Sequence, residues 1–463
     1  MAKKQNKKKL GLTTLILISL VIGLIVGIII NSSKGVIPLA ANTFITDYIV
    51  NGVFHVLGKV FISSIKMMVV PLVFISLIVG VTGIGDMSKL GRVGGKTLVF
   101  YMCTTGIAIA LALVVAKILG PGVGLNIAPP SSGFTAKAAP SFAQVLIDII
   151  PTNPIDSMAK GKMLQIIFFS LLTGISIAAL GKKAEQILVI LNELNEIVMK
   201  MVTIVMLFAP IGIFALIAKV FATQGFSVLL PLIKYMMTVL FVLILHLILV
   251  YSGALTIISR LSIITFFKKF YSALLVAFST ASSNATIPVT MKTLTEKLGV
   301  SKNIASFSVP FGATINMDGT AIMQGVAVIF ISQVYGIDLT FTDFLLVIAT
   351  ATLASVGTAG VPGVGLITLS MVLTQVNLPV EGIALIIGVD RLLDMSRTAV
   401  NISGDAIVSI IIAKSEGEFD ETIFYDPNAG FEDPDDVVQD IEEKLHISHD
   451  ILEKEKAQQE TEA

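Results

Sequence analysis

This chain of 463 residues has no tryptophan, one cysteine, four histidines and little charge. With Cys103 alone, no intrachain disulfide can form and the fold cannot rest on one. One Cys and four His supply too few soft ligands for a zinc or haem centre. Without Trp, an aromatic girdle at a membrane surface must draw on the 7 Tyr and 26 Phe. Charged residues are 14% of the chain, against about 25% in a soluble domain. Hydrophobic residues reach 54%, with a mean hydropathy of +0.90. They come in blocks that meet the roughly 20 residues needed to cross a bilayer. These shortages exclude a soluble globular protein and leave an all-α polytopic membrane protein.

The net charge of zero hides an uneven distribution. Of 32 acidic residues, 17 fall in residues 416–463, beside 3 Lys, which leaves 15 in the preceding 415 positions. So acidic and apolar-poor a segment is expected to stay solvated as a cytoplasmic tail. At the other end, Lys3, Lys4, Lys7, Lys8 and Lys9 form a basic N-terminus over residues 1–9. The apolar run Leu10–Ile30 behind them exceeds a secretion signal's core of about 7–15 residues, and more spans follow. It reads as a retained first transmembrane helix.

Apolar blocks lie near 10–30, 48–82, 94–119, 142–180, 186–221, 227–258, 265–297, 304–335, 341–376 and 380–413. Pro71 is expected to kink the second, and the Pro- and Gly-rich segment 120–140 reads as a loop. Lys and Arg placement then orients the blocks. Lys89, Arg92 and Lys96 follow block two; Lys182 and Lys183 follow block four; Arg260, Lys268 and Lys269 follow block six. Lys292, Lys297 and Lys302 surround the end of block seven, whereas the segments near 334–344 and 376–382 have no Lys or Arg. This alternation holds only if block seven enters and leaves from the cytoplasm and block nine from outside. Eight crossings and two opposed re-entrant hairpins follow, with both termini cytoplasmic in the cell membrane.

Each hairpin has a tip unsuited to continuous helix: Ser279–Pro288 in block seven and Gly357–Gly365 in block nine. Broken backbone at membrane depth is tolerated only against protein or a wet cavity. Paired interrupted segments in an inverted arrangement point to a transporter's substrate site.

Charges stand where hydrocarbon should exclude them. Asn316-Met317-Asp318-Gly319-Thr320 interrupts block eight, and block ten carries Asp390, Asp394, Arg397, Asn401 and Asp405. At about 100° per residue, Asp390, Asp394, Arg397, Thr398, Asn401 and Asp405 share one helix face about 100° wide. One reading is an ion-pair network that fixes packing; the other is a binding site. Arg397 offers a planar, permanently charged fork for a carboxylate, and Asp394 one turn earlier can take an ammonium group. Asp318, Asp405, Asn316 and Asn401 are hard oxygen donors suited to an alkali cation.

The runs Phe311–Thr320, Gly357–Gly363 and Asp394–Asn401 closely resemble the glutamate/aspartate transporter family of dicarboxylate/amino acid:cation symporters, over about residues 10–415. The resemblance implies a homotrimer of elevator-type transporters with inverted repeats. Scaffold helices one and two would occupy 10–90, and four and five 121–225. The transport domain would hold helix three (91–120) and residues 226–415: helix six, hairpin one (about 264–297), helix seven, hairpin two (about 341–376) and helix eight. Residues 416–463 would follow as the tail, and hairpin two would act as the outer gate.

Carried over by position, the resemblance puts substrate contacts at Ser283, Thr320, Val361, Gly365, Asp394, Arg397, Thr398 and Asn401. One sodium site would use Gly312, Asn316, Asn401 and Asp405, and another Thr314, Met317, Ser355, Val356 and Thr358. A third would use Tyr101, Thr104 and Thr105 facing Asn316 and Asp318. No Arg precedes the first tip, and Asn284 stands where many members have serine. With both Asp394 and Arg397 present, the implied activity is uptake of aspartate or glutamate coupled to sodium, with no resident cofactor. Proton coupling, a C4-dicarboxylate, cystine or a neutral amino acid, and an anion channel remain alternatives. An enzyme is not expected, because the intramembrane polar set contains no His to act as a base. The partners implied are the small-molecule substrate and the lipid bilayer, not nucleic acid.

Overall fold

A computed structural model describes residues 12–33, 38–82, 90–125, 127, 147, 149–355, 360 and 362–430. Among these residues the structure is all helical, apart from an isolated bridge between Val300 and Phe419. Among the described residues, eight helical stretches are long and apolar enough to cross a membrane. The number matches the expectation, but the membership differs. Gln165–Leu207 and Ala209–Ile258 each count as one stretch although a short 3-10 turn, Gly181–Ala184 or Gly225–Val228, interrupts each, and Ile263–Thr280 in block seven also qualifies.

We label the main helices α1 (Leu12–Ser33), α2 (His55–Thr82), α3 (Leu90–Leu119), α4 (Met163–Leu180), α5 (Glu185–Leu207), α6 (Ala209–Gln224) and α7 (Leu229–His246). They continue as α8 (Ile263–Thr280), α9 (Ser283–Glu296), α10 (Lys302–Ile315), α11 (Asp318–Val334), α12 (Phe341–Ser355), α13 (Val364–Gln375), α14 (Ile383–Glu416) and α15 (Glu421–Tyr425). Helix α1 lies along α6, and α2 packs on α4, α5 and α6. A second group gathers on α14, which touches α7, α8, α10 and α11, while α3 packs on α11 and α12. The two groups meet where α13 crosses α2 and α14 crosses α6.

One expectation about helix limits changes. Among the described residues of block four, the long helix begins at Met163, behind a short helix Pro154–Lys160 whose N-cap Asn153 accepts from Ile155 N and Asp156 N. Pro151 and Pro154 break the apolar run into pieces, because proline cannot donate within a helix. Pro71 lies inside α2, which continues through it.

Each interrupted block folds as two helices that pack against each other. Helix α8 stops where Ala281 takes a left-handed conformation, φ 50°. Ser282 then caps α9 by accepting from Ala285 N. The break is thus narrower than Ser279–Pro288, and Pro288 sits inside α9. Helices α12 and α13 pack together as the second pair; Val364 and Gly365 already belong to α13. With 15 and 12 residues, α12 and α13 reach only about 22 and 18 Å, short of a hydrocarbon core of about 30 Å.

The acidic segment begins differently from a solvated tail. Helix α14 runs to Glu416, whose carboxylate binds Arg92 and Lys96 of α3 at 2.7 and 2.6 Å. The chain turns at Gly417 and folds back: Asp420 N donates to Gly299 O, and Ser301 N to Glu418 O. Phe424 is completely buried. A few apolar residues among the acids, Phe419 and Phe424, supply the anchor that net charge concealed. Residues 431–463 lie outside the described residues.

Candidate substrate and cation site

Helix α14 buries its polar face as helical phase predicts: Asp390, Asp394, Arg397, Thr398, Asn401 and Asp405 are all buried. Arg397 is 0% exposed and divides its guanidinium between two carboxylates. Nη1 donates to Asp390 Oδ1 at 2.7 Å and Nη2 to Asp394 Oδ1 at 2.8 Å. Arg391 approaches Asp394 Oδ2 at 3.7 Å. Two cations therefore meet two anions at depth, where an unpaired charge would cost several kcal/mol. Asp394 also accepts from Gly363 N at 3.4 Å, which ties the carboxylate to the second hairpin. Thr398 closes onto Asp394 O at 2.8 Å.

Backbone packs directly against this arginine. A Cβ at Gly319 would lie 2.6 Å from Arg397 O, so only glycine lets α11 approach. Thr320 and Arg397 Nη2 both border Gly365. The structure thus brings Thr320, Gly365, Asp394 and Arg397 together. Ser283 sits at the first tip, where the two hairpins touch: Ser282 Oγ donates to Gly360 O at 2.7 Å and Asn284 N to the same oxygen at 3.2 Å. A Cβ on Gly360 would meet Ala313 O at 2.7 Å. A cavity of about 180 Å³ opens beside Asp394, walled by Asp390, Arg391, Pro362 and Gly363 and by Phe61 and Met206 of the first helix group.

A second cluster lies deeper. The break Asn316-Met317 between α10 and α11 turns polar groups inward. Asn316 Nδ2 donates to Asp405 Oδ1 at 2.9 Å and to Asn401 O at 3.0 Å. Asn401 Oδ1 accepts from Gly319 N at 2.7 Å, and its Nδ2 faces Met317 Sδ at 3.4 Å. Asp318 accepts from Thr105 Oγ1, from Tyr251 Oη at 2.7 Å and from His246 Nε2 at 3.0 Å. Tyr101 is buried with its hydroxyl toward Ser308 O, and a Cβ on Gly312 would strike both that hydroxyl and Asp405 Oδ1.

Of the expected cation residues, Gly312, Asn316, Met317, Asp318, Asn401, Asp405, Tyr101 and Thr105 converge here. Tyr101 faces the Gly312–Asp405 side rather than Asp318. Thr104, Thr314 and Ser355 instead bond carbonyls of their own helices. Val356, Thr358 and Val361 lie outside the described residues.

The expectation of no intramembrane His is wrong. His246 is fully buried at the end of α7 and contacts Asp318. An ionisable residue within the run 227–258 was the available signal. Tyr251, five residues on, gave none, because an isolated Tyr in an apolar run is ordinary. Asp390 stood out on the polar face, but only the structure supplies its role as second partner of Arg397.

Broken helices with paired charges at membrane depth define a polytopic transporter. A sequence model of the sodium:dicarboxylate symporter family matches residues 12–415. The chain is 39% identical over 385 residues to the proton/glutamate-aspartate symporter of Escherichia coli K12, covering 81% of this chain and 88% of that one. It is 36% identical over 422 residues to the proton/sodium-glutamate symport protein of Geobacillus stearothermophilus, covering 89% and 96%. A C4-dicarboxylate transport protein of Bacillus subtilis 168 is 35% identical over 375 residues, covering 79% and 88%. The chain belongs to the sodium:dicarboxylate symporter family. It is a multi-pass membrane transporter, not an enzyme.

Proposed function

We propose that this protein is a sodium-coupled symporter of an acidic amino acid, aspartate or glutamate. The observation that carries this reading is the Arg397–Asp394 pair facing the second hairpin tip. In the absence of substrate the two groups neutralise each other. An acidic amino acid can replace that internal pair with two others, its ammonium on Asp394 and its side-chain carboxylate on Arg397 Nη2. Asp390 keeps Nη1 and holds the guanidinium in place. Succinate would leave Asp394 with only Arg391, 3.7 Å away, and serine would leave Nη2 without an anion. Each mismatch costs about 2–5 kcal/mol. Ser283, Thr320, Thr398, Asn401 and the backbone at Val361 and Gly365 complete the pocket.

Asp318 and Asp405 are buried carboxylates served by neutral donors and one imidazole. A cation arriving as cargo would neutralise them, and the surrounding amide, hydroxyl and carbonyl oxygens suit sodium. Proton coupling is the second reading, because no basic side chain among the described residues pairs with Asp405 and a proton would neutralise it equally well.

The helix group on α14, with α3, would be the moving transport domain, and α1, α2, α4, α5 and α6 the scaffold. The hairpins would be re-entrant, both termini cytoplasmic and the assembly trimeric; the trimer rests on the family resemblance alone. Aspartate uptake into proteoliposomes under separately imposed sodium and proton gradients tests the coupling. Uptake that follows sodium alone is expected. Uptake that follows only the proton gradient overturns sodium coupling.

A further inference from the structure

A second cavity, of about 630 Å³, lies between the two helix groups and has a basic wall. Its charged lining is His55 and Lys59 of α2, Lys219 of α6, and Glu381 just before α14. Lys59 Nζ is 2.7 Å from Glu381 Oε1, and Lys66 shares that oxygen at 3.7 Å. Lys219 Nζ instead lies 2.7 Å from His55 Nδ1, which accepts from the ammonium and is therefore neutral at that nitrogen. Among the described residues, Lys219 has no carboxylate partner. The cavity wall holds two lysines against one glutamate and carries a net positive charge.

These cations occupy an unexpected side. The loop-charge topology puts the start of α2, the end of α6 and the segment before α14 outside, where Lys and Arg are normally sparse. The same three helices, α2, α6 and α14, line both this cavity and the one beside Asp394. Ile62, Leu216 and Leu385 face the outer cavity, while Phe61, Ile213 and Ile387 of the same three helices face the inner one. Along α14, Leu385 and Asp390 are five residues apart, about 7.5 Å of helix rise.

We propose that the outer cavity is an antechamber that binds a carboxylate anion, the acidic amino acid itself, before it reaches Asp394 and Arg397. This deepens the substrate reading above and rests on it. Lys219 offers an uncompensated cation to one carboxylate, and the Lys59–Glu381 pair presents both signs to the rest of a zwitterion. Neither group belongs to the inner pocket, so their contribution is to capture and not to final affinity. A charged cleft with low-dielectric walls raises association rates by about 10- to 1,000-fold, and salt screens the gain.

The test compares wild type, Lys219→Gln and Lys219→Arg for the rate of sodium-dependent aspartate uptake in proteoliposomes, at several ionic strengths. For Lys219→Gln, uptake per unit substrate at low concentration should fall about tenfold at low salt, with saturated turnover unchanged and a flatter salt dependence. Lys219→Arg should keep the wild-type values. An unchanged low-concentration rate in Lys219→Gln overturns the antechamber and leaves the substrate reading intact. Wild-type protein that transports neither aspartate nor glutamate under either gradient sinks both. A defect seen with phosphatidylglycerol vesicles but absent in pure phosphatidylcholine assigns the cavity to an anionic lipid headgroup and also overturns the proposal.

Discussion

Replacing Arg397 with Cys removes the one group that neutralises both Asp390 and Asp394. The two carboxylates lie one helical turn apart on α14 and are buried, at 6% and 8% exposure. Breaking a buried ion pair from one side costs about 3–5 kcal/mol, because the partner stays buried and uncompensated. Part of the defect will therefore be lost stability. The binding defect is separate: a substrate carboxylate loses its charged hydrogen bond to Nη2, worth about 2–5 kcal/mol, or roughly 30- to 4,000-fold in affinity. The double variant Asp390→Asn/Arg397→Cys distinguishes them. It removes one orphaned carboxylate, so thermal stability should recover in part, while aspartate binding stays lost and serine uptake appears. Sodium-dependent uptake of labelled aspartate and serine, alongside thermal unfolding of the purified protein, reads both effects. Aspartate affinity within about threefold of wild type in either variant, under 0.7 kcal/mol, would refute the assignment of Arg397 to the side-chain carboxylate.

Asp394→Asn should abolish aspartate uptake and raise succinate uptake, since the ammonium loses its partner and a dicarboxylate no longer leaves that carboxylate poorly compensated; uptake of labelled aspartate and labelled succinate measures this. A methyl group at Gly404 would collide with Tyr251 Oη and, at 2.5 Å, with Asn316 Nδ2. Gly404→Ala should therefore raise the sodium concentration for half-maximal uptake at least about tenfold, as displaced donors cost about 1–3 kcal/mol. His246→Ala removes one of three donors to Asp318 and should shift the same sodium curve by about tenfold, with aspartate affinity at saturating sodium retained. Phe424→Ala should lower stability by about 3–5 kcal/mol by emptying the anchor of the folded-back C-terminal segment, seen as earlier thermal unfolding with substrate selectivity unchanged.

Much of this candidate site is legible in the sequence. Charge in an apolar run is so costly that Asp394, Arg397 and Asp405 announced themselves, and helical period put them on one face of α14. Backbone breakers did the same for the hairpins, although cap chemistry at Ser282 narrowed the first break to Ala281 and Ser282. Pairing was not legible. That Arg397 is shared with Asp390, and that His246 reaches Asp318 from α7, depends on which helices pack together, and sequence spacing within one helix holds no such information. The folded-back segment after Glu416 was hidden for a different reason: two phenylalanines outweigh the local acidity once α8, α9 and α14 form a surface to receive them.

The central claim is that Asp394 and Arg397 read the two ends of an acidic amino acid. Calorimetric titration of the purified protein at saturating sodium, with aspartate, glutamate, succinate and serine in turn, tests it most directly. Aspartate or glutamate should bind at least about 30-fold more tightly than succinate or serine, the smallest ratio that one unmatched buried charge allows. Succinate binding as tightly as aspartate would contradict the account.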